Sequence, residues 1–480
     1  MSSGDTRGRS GRGLALAVIA TAQFMVIMDT SIIGVALPEI QADLGFSQQN
    51  LSWVFNAYVV ALGGLLLLGG RLSDLLGARR VFMAGWVVLI AGSAVAGLAS
   101  SVAVELAGRA VQGVGSALIA PSALTLLMML FGGEARELTK ALAIYGAAAP
   151  AGGTAGVFLG GVITEYVSWP WVFYVNIPIA VLILAVTPRL MPAGGGRRGS
   201  VDVLGALTVT AGVGAAVFAV VRAPEVGWAS TATLVTSGAA VVLLAVFVLV
   251  QARRREPLMT LRIFRSPNLG VANGVQLLLG AAWIPMWFFL NLYLQQVLDY
   301  SAFPSGAALL PMTTVIMIGM VAVAPRLIGR FGPKHVTIAG MVLLAVGLGW
   351  LSFVRPDGSF WVDVLPASVV AAAGMSLAFI PSLGTAISSA RPAEGGLASG
   401  IVNTSYQVGS ALGLAAMTAV AAAAGAGRLG DVTALTDGFS VAFVGAGIVA
   451  AAGALVALTA WRTATVRGGV DERVELTSAS

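Results

Sequence analysis

The chain has no cysteine and a single histidine, His335. Disulfides, thiolate metal sites and a multi-histidine metal centre are therefore excluded, and no redox compartment can be inferred. Charge is scarce: 10% of the 480 residues are charged, against about a quarter in a soluble globular protein. Lysine is nearly missing, since only Lys140 and Lys334 accompany the arginines. No phosphate-binding loop or nucleophile constellation is present, which argues against an enzyme and against ATP as the driving force. The glycine-rich stretch at 152–161 sits inside an apolar segment. What the chain has in quantity is apolar side chains, 58%, and 61 glycines. This is the composition of a polytopic membrane protein, and the arginine, glycine and alanine usage points to a GC-rich bacterial genome.

A membrane-crossing helix needs ~20 apolar residues. Fourteen segments meet that length: about 14–37, 51–70, 81–100, 103–131, 140–163, 169–188, 203–222, 231–251, 269–294, 303–326, 336–354, 361–389, 397–424 and 437–461. Arg7 to Arg12 before the first run resembles a secretory signal. The run 14–37 is too long for that, carries Asp29 and has no cleavage site, so it reads as the first span. With the N-terminus inside, all but four of the 27 basic residues fall in inner segments. The exceptions are Arg222, Arg355 and Arg428 in outer loops and Arg109 within a span. That asymmetry is the positive-inside rule and puts both termini in the cytoplasm. The net charge of +6 is thus membrane topology, and no nucleic-acid partner is expected.

Residues 1–13 form an N-terminal tail, 14–190 a first six-helix bundle, 191–268 linkers and two extra helices, 269–461 a second six-helix bundle and 462–480 a C-terminal tail. Within the middle unit, 191–202 reads as a flexible linker and 252–268 as a basic loop. The stretch 325–334, Pro-Arg-Leu-Ile-Gly-Arg-Phe-Gly-Pro-Lys, echoes 70–79 at the equivalent place in the second bundle and signals an internal repeat.

The candidate residues fall in four groups. The tight charged connection 69–80 holds Gly70, Asp74, Gly77, Arg79 and Arg80. Gly70 permits a close helix approach, Gly77 a sharp reversal, and Asp74 is placed to cap the next helix or pair with Arg71, Arg79 or Arg80. Asp29 and Arg109 are charges inside spans, functional candidates because burial there is expensive. Glu105 precedes Arg109 by one helical turn on the same face and is its nearest candidate partner. Gly152, Gly156 and Gly160 recur every four residues and form one groove-bearing face, which Gly153 and Gly161 widen. Trp53, Asn56 and Tyr58, with Trp283, Trp287, Phe288, Asn291 and Tyr293, are candidates to line an amphipathic cavity for planar or cationic organic molecules. As single residues, most of these aromatics are equally at home facing lipid.

The loop resembles the signature Gly-x-Leu-x-Asp-x-x-Gly-x-Arg-Arg of the major facilitator superfamily, matching at Gly70, Leu72, Asp74, Gly77, Arg79 and Arg80. Asp29-Thr-Ser-Ile-Ile-x-Val-Ala-Leu-Pro38 resembles the first-span signature of its fourteen-span drug:proton antiporters. Arg109-x-x-Gln-Gly-x-Gly115 and the stretches 168–178 and 396–409 match further motifs of that family. Its glycine-rich antiporter motif is matched less closely, because Val157 stands at the motif's proline; in the separate sixth-span entry, 168–178, Pro170 replaces the usual arginine.

The resemblance implies an all-α major facilitator fold of two six-helix bundles plus two central spans. It implies a multi-pass, monomeric transporter of the bacterial cytoplasmic membrane, exchanging a small organic drug or antibiotic for protons without a cofactor. In that scheme Asp29 carries the proton, Arg109 biases its release, Glu105 belongs to the same coupling group, and the Asp74 loop governs the conformational switch. Two alternatives remain open at this point: proton symport or facilitated uptake of a metabolite, and a membrane sensor or scaffold that transports nothing.

Overall fold

The computed structural model describes residues 3–193, 202–266, 268–390 and 395–462. Most of the linker at 191–202 and of the C-terminal tail lies outside the described residues. All regular structure among them is helical, as expected where no water can satisfy the backbone: a helix makes its own hydrogen bonds.

The first bundle comprises α1 (Ser3–Leu44), α2 (Trp53–Leu76), α3 (Ala78–Gly97), α4 (Val102–Phe131) and α5 (Ala135–Tyr166), followed by α6 (Trp171–Tyr174) and α7 (Asn176–Leu190), which together make one crossing. Helix α1 already runs through the residues read from sequence as an N-terminal tail. The middle pair is α8 (Val203–Val226) and α9 (Thr231–Arg253). The second bundle comprises α10 (Leu269–Leu292), α11 (Ala302–Ile318), α12 (Ala324–Leu351), α13 (Leu365–Ser389), α14 (Gly395–Ala421) and α15 (Val432–Ala460).

Thirteen continuous helical stretches among the described residues are long and apolar enough to cross a membrane. One of them, Ala302–Leu351, has 50 residues. At 1.5 Å per residue it would be roughly 75 Å long, more than twice the ~30 Å hydrocarbon core. It is interrupted at Gly332, whose φ of 78° and ψ of 160° are not helical, with Pro333 next.

Gly77 does the same between α2 and α3, with φ 91° and ψ 131°. The chain reverses on this one residue: α2 ends at Leu76 and α3 starts at Ala78. Gly77 and Gly332 occupy matching places in the loop and its echo, so the sequence repeat is also a backbone repeat. An L-residue at Gly77 is strained by about 1–3 kcal/mol. Gly77→Val is expected to lower the thermal unfolding midpoint of the purified protein. Gly133→Val is the control, since a side chain there meets nothing within 4 Å.

The packing repeats as well. In the first bundle α1 packs on α5, and α2 and α3 on α4; in the second, α10 packs on α14, and α11 and α12 on α13. Across the seam α5 lies on α11 and α14 on α2, so each bundle's fifth crossing meets the other's second. Helices α8 and α9 pack on each other, with α8 against α2 and α14. Asp202 caps α8 by accepting from the Gly205 N–H at 2.9 Å, and also accepts from Gln251 and Arg254 at 2.7 and 3.0 Å. That polar pin ties the start of α8 to the end of α9.

Candidate functional site

A buried charge pair lies within the first bundle. Arg109 on α4 is 0% exposed and Asp29 on α1 is 2% exposed. Arg109 Nη1 donates to Asp29 Oδ2 at 2.7 Å and to Gln112 Oε1 at 2.8 Å, while its Nε donates to the Val54 carbonyl at 2.9 Å. Asp29 Oδ1 accepts from Gln112 Nε2 at 3.1 Å and Asn176 Nδ2 at 2.8 Å. Gln112 Nε2 also reaches Ser93 Oγ at 2.9 Å. The guanidinium lies over the Tyr58 ring, 4.5 Å from its centroid. Tyr58 donates to Ser116 Oγ at 2.8 Å. Five crossings thus converge on one carboxylate–guanidinium pair. A buried pair persists only when its remaining lone pairs and protons are also bonded, and here most are.

Glu105 is fully buried, yet neither of its carboxyl oxygens has a hydrogen-bond partner among the described residues, and Arg109 Nη2 has none either. The local Glu105–Arg109 pair suggested by helical spacing is not formed. The partner of Arg109 comes from another helix, 80 positions away in sequence. Gln112, Asn176 and Ser93 were not picked out from sequence as site residues. A polar amide inside an apolar run was the available signal for Gln112 and Asn176; Ser93 offered none, because serine is ordinary in spans.

The glycine face of α5 is what brings α1 close. A Cβ at Gly156 would sit 2.8 Å from the Met28 carbonyl and 2.8 Å from Ser31 Cβ, and one at Gly160 would sit 2.6 Å from the Ile32 carbonyl. Gly152 abuts the Phe24 carbonyl. These three glycines therefore grip α1 on both sides of Asp29. Gly153 has only ordinary contacts, at 3.8 Å, and does not widen that groove. Gly161 faces the other bundle, where a Cβ would lie 3.0 Å from the Ala302 carbonyl, and buried Val157 turns its own carbonyl to Gly306. Val157 thus occupies a seam contact on a helix that stays continuous from Ala135 to Tyr166.

The charged loop departs from its sequence reading in two respects. The close helix approach is made at Gly69, against the Ala117 carbonyl, whereas Gly70 has only the Pro121 side chain, 3.8 Å away. Asp74 is exposed and neither caps α3 nor forms an ion pair among the described residues. Arg71 instead pairs with Glu256 at 2.7 Å, tying this loop to the basic segment after α9. Arg79 donates to the carbonyls of Pro188 and Met191, both at 3.3 Å, and Arg80 is exposed.

The aromatic candidates separate. Trp53 packs on Phe218 of α8, with ring centroids 6.3 Å apart, and so belongs to the contact with the extra pair. Tyr58 belongs to the charge cluster. Asn56 is buried, with neither amide atom bonded. Trp287 and Asn291 of α10 face α1: a Cβ at Gly34 would lie 3.0 Å from Trp287 Nε1 and 3.2 Å from Asn291 Nδ2. Trp287 and Asn291 thus lie at the seam between bundles, within one and a half turns of Asp29 along α1.

The end of the seam beyond Gly34 is closed by three glutamines. Gln41 Nε2 donates to Gln48 Oε1 at 2.9 Å, Gln48 to Gln296 at 3.1 Å, and Gln296 back to Gln41 at 2.9 Å. Gln295 adds a bond to the Val35 carbonyl at 2.9 Å. Phe303 stacks edgewise on Phe158, 6.1 Å between centroids. Each hydrogen bond contributes about 0.5–1.5 kcal/mol net. Gln296→Ala removes two of the ring's three and is expected to open this end. Spin labels on Ala42→Cys and Leu429→Cys, which line the same small hollow, report it as a longer distance; the chain supplies no competing cysteine.

The model of the Major Facilitator Superfamily matches residues 19–414 and again 326–478. The chain belongs to the major facilitator superfamily. The cephamycin export protein of Amycolatopsis lactamdurans is 39% identical over 92% of this chain and 91% of its own length. The puromycin resistance protein of Streptomyces alboniger is 36% identical over 88% and 84%. The methylenomycin A resistance protein of Streptomyces coelicolor is 30% identical over 94% and 92%. Among solved structures, the nucleoside transporter NupG superposes with a TM-score of 0.65 at 14% identity, covering 93% of this chain and 99% of that one, which is a likeness of fold. The chain is thus a multi-pass membrane transporter of this superfamily and not an enzyme.

Proposed function

We propose that this transporter exports a small organic drug or antibiotic across the bacterial cytoplasmic membrane in exchange for protons, and so confers resistance. The observation that carries the reading is the buried Asp29–Arg109 pair, set directly behind the α1 surface that meets α10 at the seam. A carboxylate that holds its counter-charge through one hydrogen bond can trade that bond for a proton. Doing so changes the charge beside α1, the helix shared by the coupling site and the seam. The export and resistance functions of relatives matched over most of their length support the direction and the class of cargo.

Reading Gly332 as a loop glycine, as Gly77 is, gives fourteen spans with both termini inside. The glutamine ring then lies at the outer end of the seam and the Asp74 loop at the inner end. An outer end closed by Gln41, Gln48 and Gln296, together with an Asp74 that forms no ion pair among the described residues, fits a conformer closed to the outside. The protein works as a monomer in this scheme, and the proton gradient takes the place of a cofactor.

The test is accumulation of puromycin, a cephamycin and ethidium by cells expressing the protein, with and without a protonophore. Exclusion of at least one compound that collapses with the gradient is expected. Accumulation driven by the gradient would reverse the reading to uptake, and no gradient-dependent difference for any compound would remove it.

A further inference from the structure

The least explained group in the molecule is Glu105. It is 0% exposed, and neither carboxyl oxygen is bonded to any described residue. It does not serve as a helix cap: α4 begins at Val102 after Ser101, and the Glu105 side chain takes no backbone N–H. An unpaired carboxylate is costly to keep as an ion at such a site. One helical turn on, Arg109 has an unused guanidinium nitrogen, Nη2. Residues four apart on a helix face each other across about 5–6 Å, within reach of two flexible side chains. The charged groups acting on Glu105 are Arg109 on its own helix and Asp29 on α1. Tyr58 of α2 lies against the same guanidinium, and α3 and α7 contribute only the uncharged Ser93 and Asn176.

We propose that Glu105 is a second seat for the Arg109 guanidinium, and that the guanidinium and one proton trade places between Asp29 and Glu105 during transport. The inference rests on the proton-coupling reading above and specifies its buried step. In the conformer described, Asp29 is the carboxylate, Arg109 is bonded to it and Glu105 carries the proton. In the other, Asp29 has gained a proton, Glu105 has lost one and Arg109 is bonded to Glu105. Arg109 keeps its charge throughout, and the net charge of the three groups is the same in both conformers. The exchange therefore never leaves a buried charge uncompensated, the condition that makes breaking such a pair costly. Glu105 also lies nearer than Arg109 to the start of α4, which is the outer end in the orientation above. A proton arriving from outside meets Glu105 before Asp29.

The direct test is the structure of Asp29→Asn in lipid nanodiscs, because the amide imitates the proton-bearing acid. Arg109 is expected within hydrogen-bond distance of Glu105. A guanidinium still seated on the Val54 carbonyl and Gln112, with Glu105 unpaired, overturns the proposal. Should that variant not fold, infrared spectra of the wild type and Glu105→Gln in liposomes at neutral pH decide. The wild type is expected to show a protonated-carboxyl stretch that Glu105→Gln removes and Glu105→Asp restores at a shifted frequency. A spectrum unchanged by Glu105→Gln overturns the proposal equally. Neither readout uses a transported compound, so failure here and failure of the export reading are separate results.

Discussion

Asp29→Asn is expected to abolish coupled export. Cells carrying it should accumulate a compound that the wild type excludes to the level of cells without the transporter, with the variant present in the membrane at a similar amount. The substitution keeps the size and shape of the side chain but removes the negative charge that holds Arg109 and the group that takes up a proton. The loss is therefore one of coupling. Arg109→Ala is a different experiment, because it strips Asp29 of its counter-charge. Breaking a buried pair in this way costs about 3–5 kcal/mol, so lower stability should accompany the lost transport. A thermal shift assay on both variants separates the two effects.

Gly156→Leu is expected to be nearly as damaging, although it alters no polar group. A Cβ alone would lie 2.8 Å from the Met28 carbonyl, and the backbone of α1 cannot yield there without carrying Asp29 with it. Overpacking typically costs about 1–3 kcal/mol. The larger consequence is geometric: α1 must back away from α5, and the 2.7 Å bond from Arg109 to Asp29 must lengthen or break. Gly153→Ala, three residues earlier on the same helix, meets only atoms at 3.8 Å and should transport like the wild type. If both variants transport equally well, the glycine face has no part in holding the coupling site.

Much of this arrangement could be read from the chain. Hydropathy marked fourteen apolar segments where the described residues show thirteen helical stretches, the tenth taking in both 303–326 and 336–354, and the echo of the 70–79 stretch at 325–334 falls where Gly332 breaks that long helix. Span-embedded charge singled out Asp29 and Arg109. The contacts between them were harder to read, for physical reasons. Helical spacing gives the local neighbour of Arg109, and Glu105 was accordingly its nearest candidate, but the ion pair is made across helices, where spacing carries no information. Gly69 and Gly70 are adjacent, and only the rotation of α2 against α4 decides which of them meets Ala117. Trp53 reads as a cavity aromatic from sequence, yet Phe218 of α8 packs against it. The glutamine ring depends on three residues that are unremarkable one at a time and come together only when the two bundles meet.

The central claim is that proton movement through Asp29 drives the export. Proteoliposomes holding the purified protein and an internal pH-sensitive dye test it most directly. Puromycin, a cephamycin or ethidium is added on one side, and proton flux is followed in the wild type and in Asp29→Asn. The account predicts that a transported compound moves protons the opposite way in the wild type and moves none in the variant. Compound flux in the wild type without proton flux, or equal proton flux in both proteins, would contradict it.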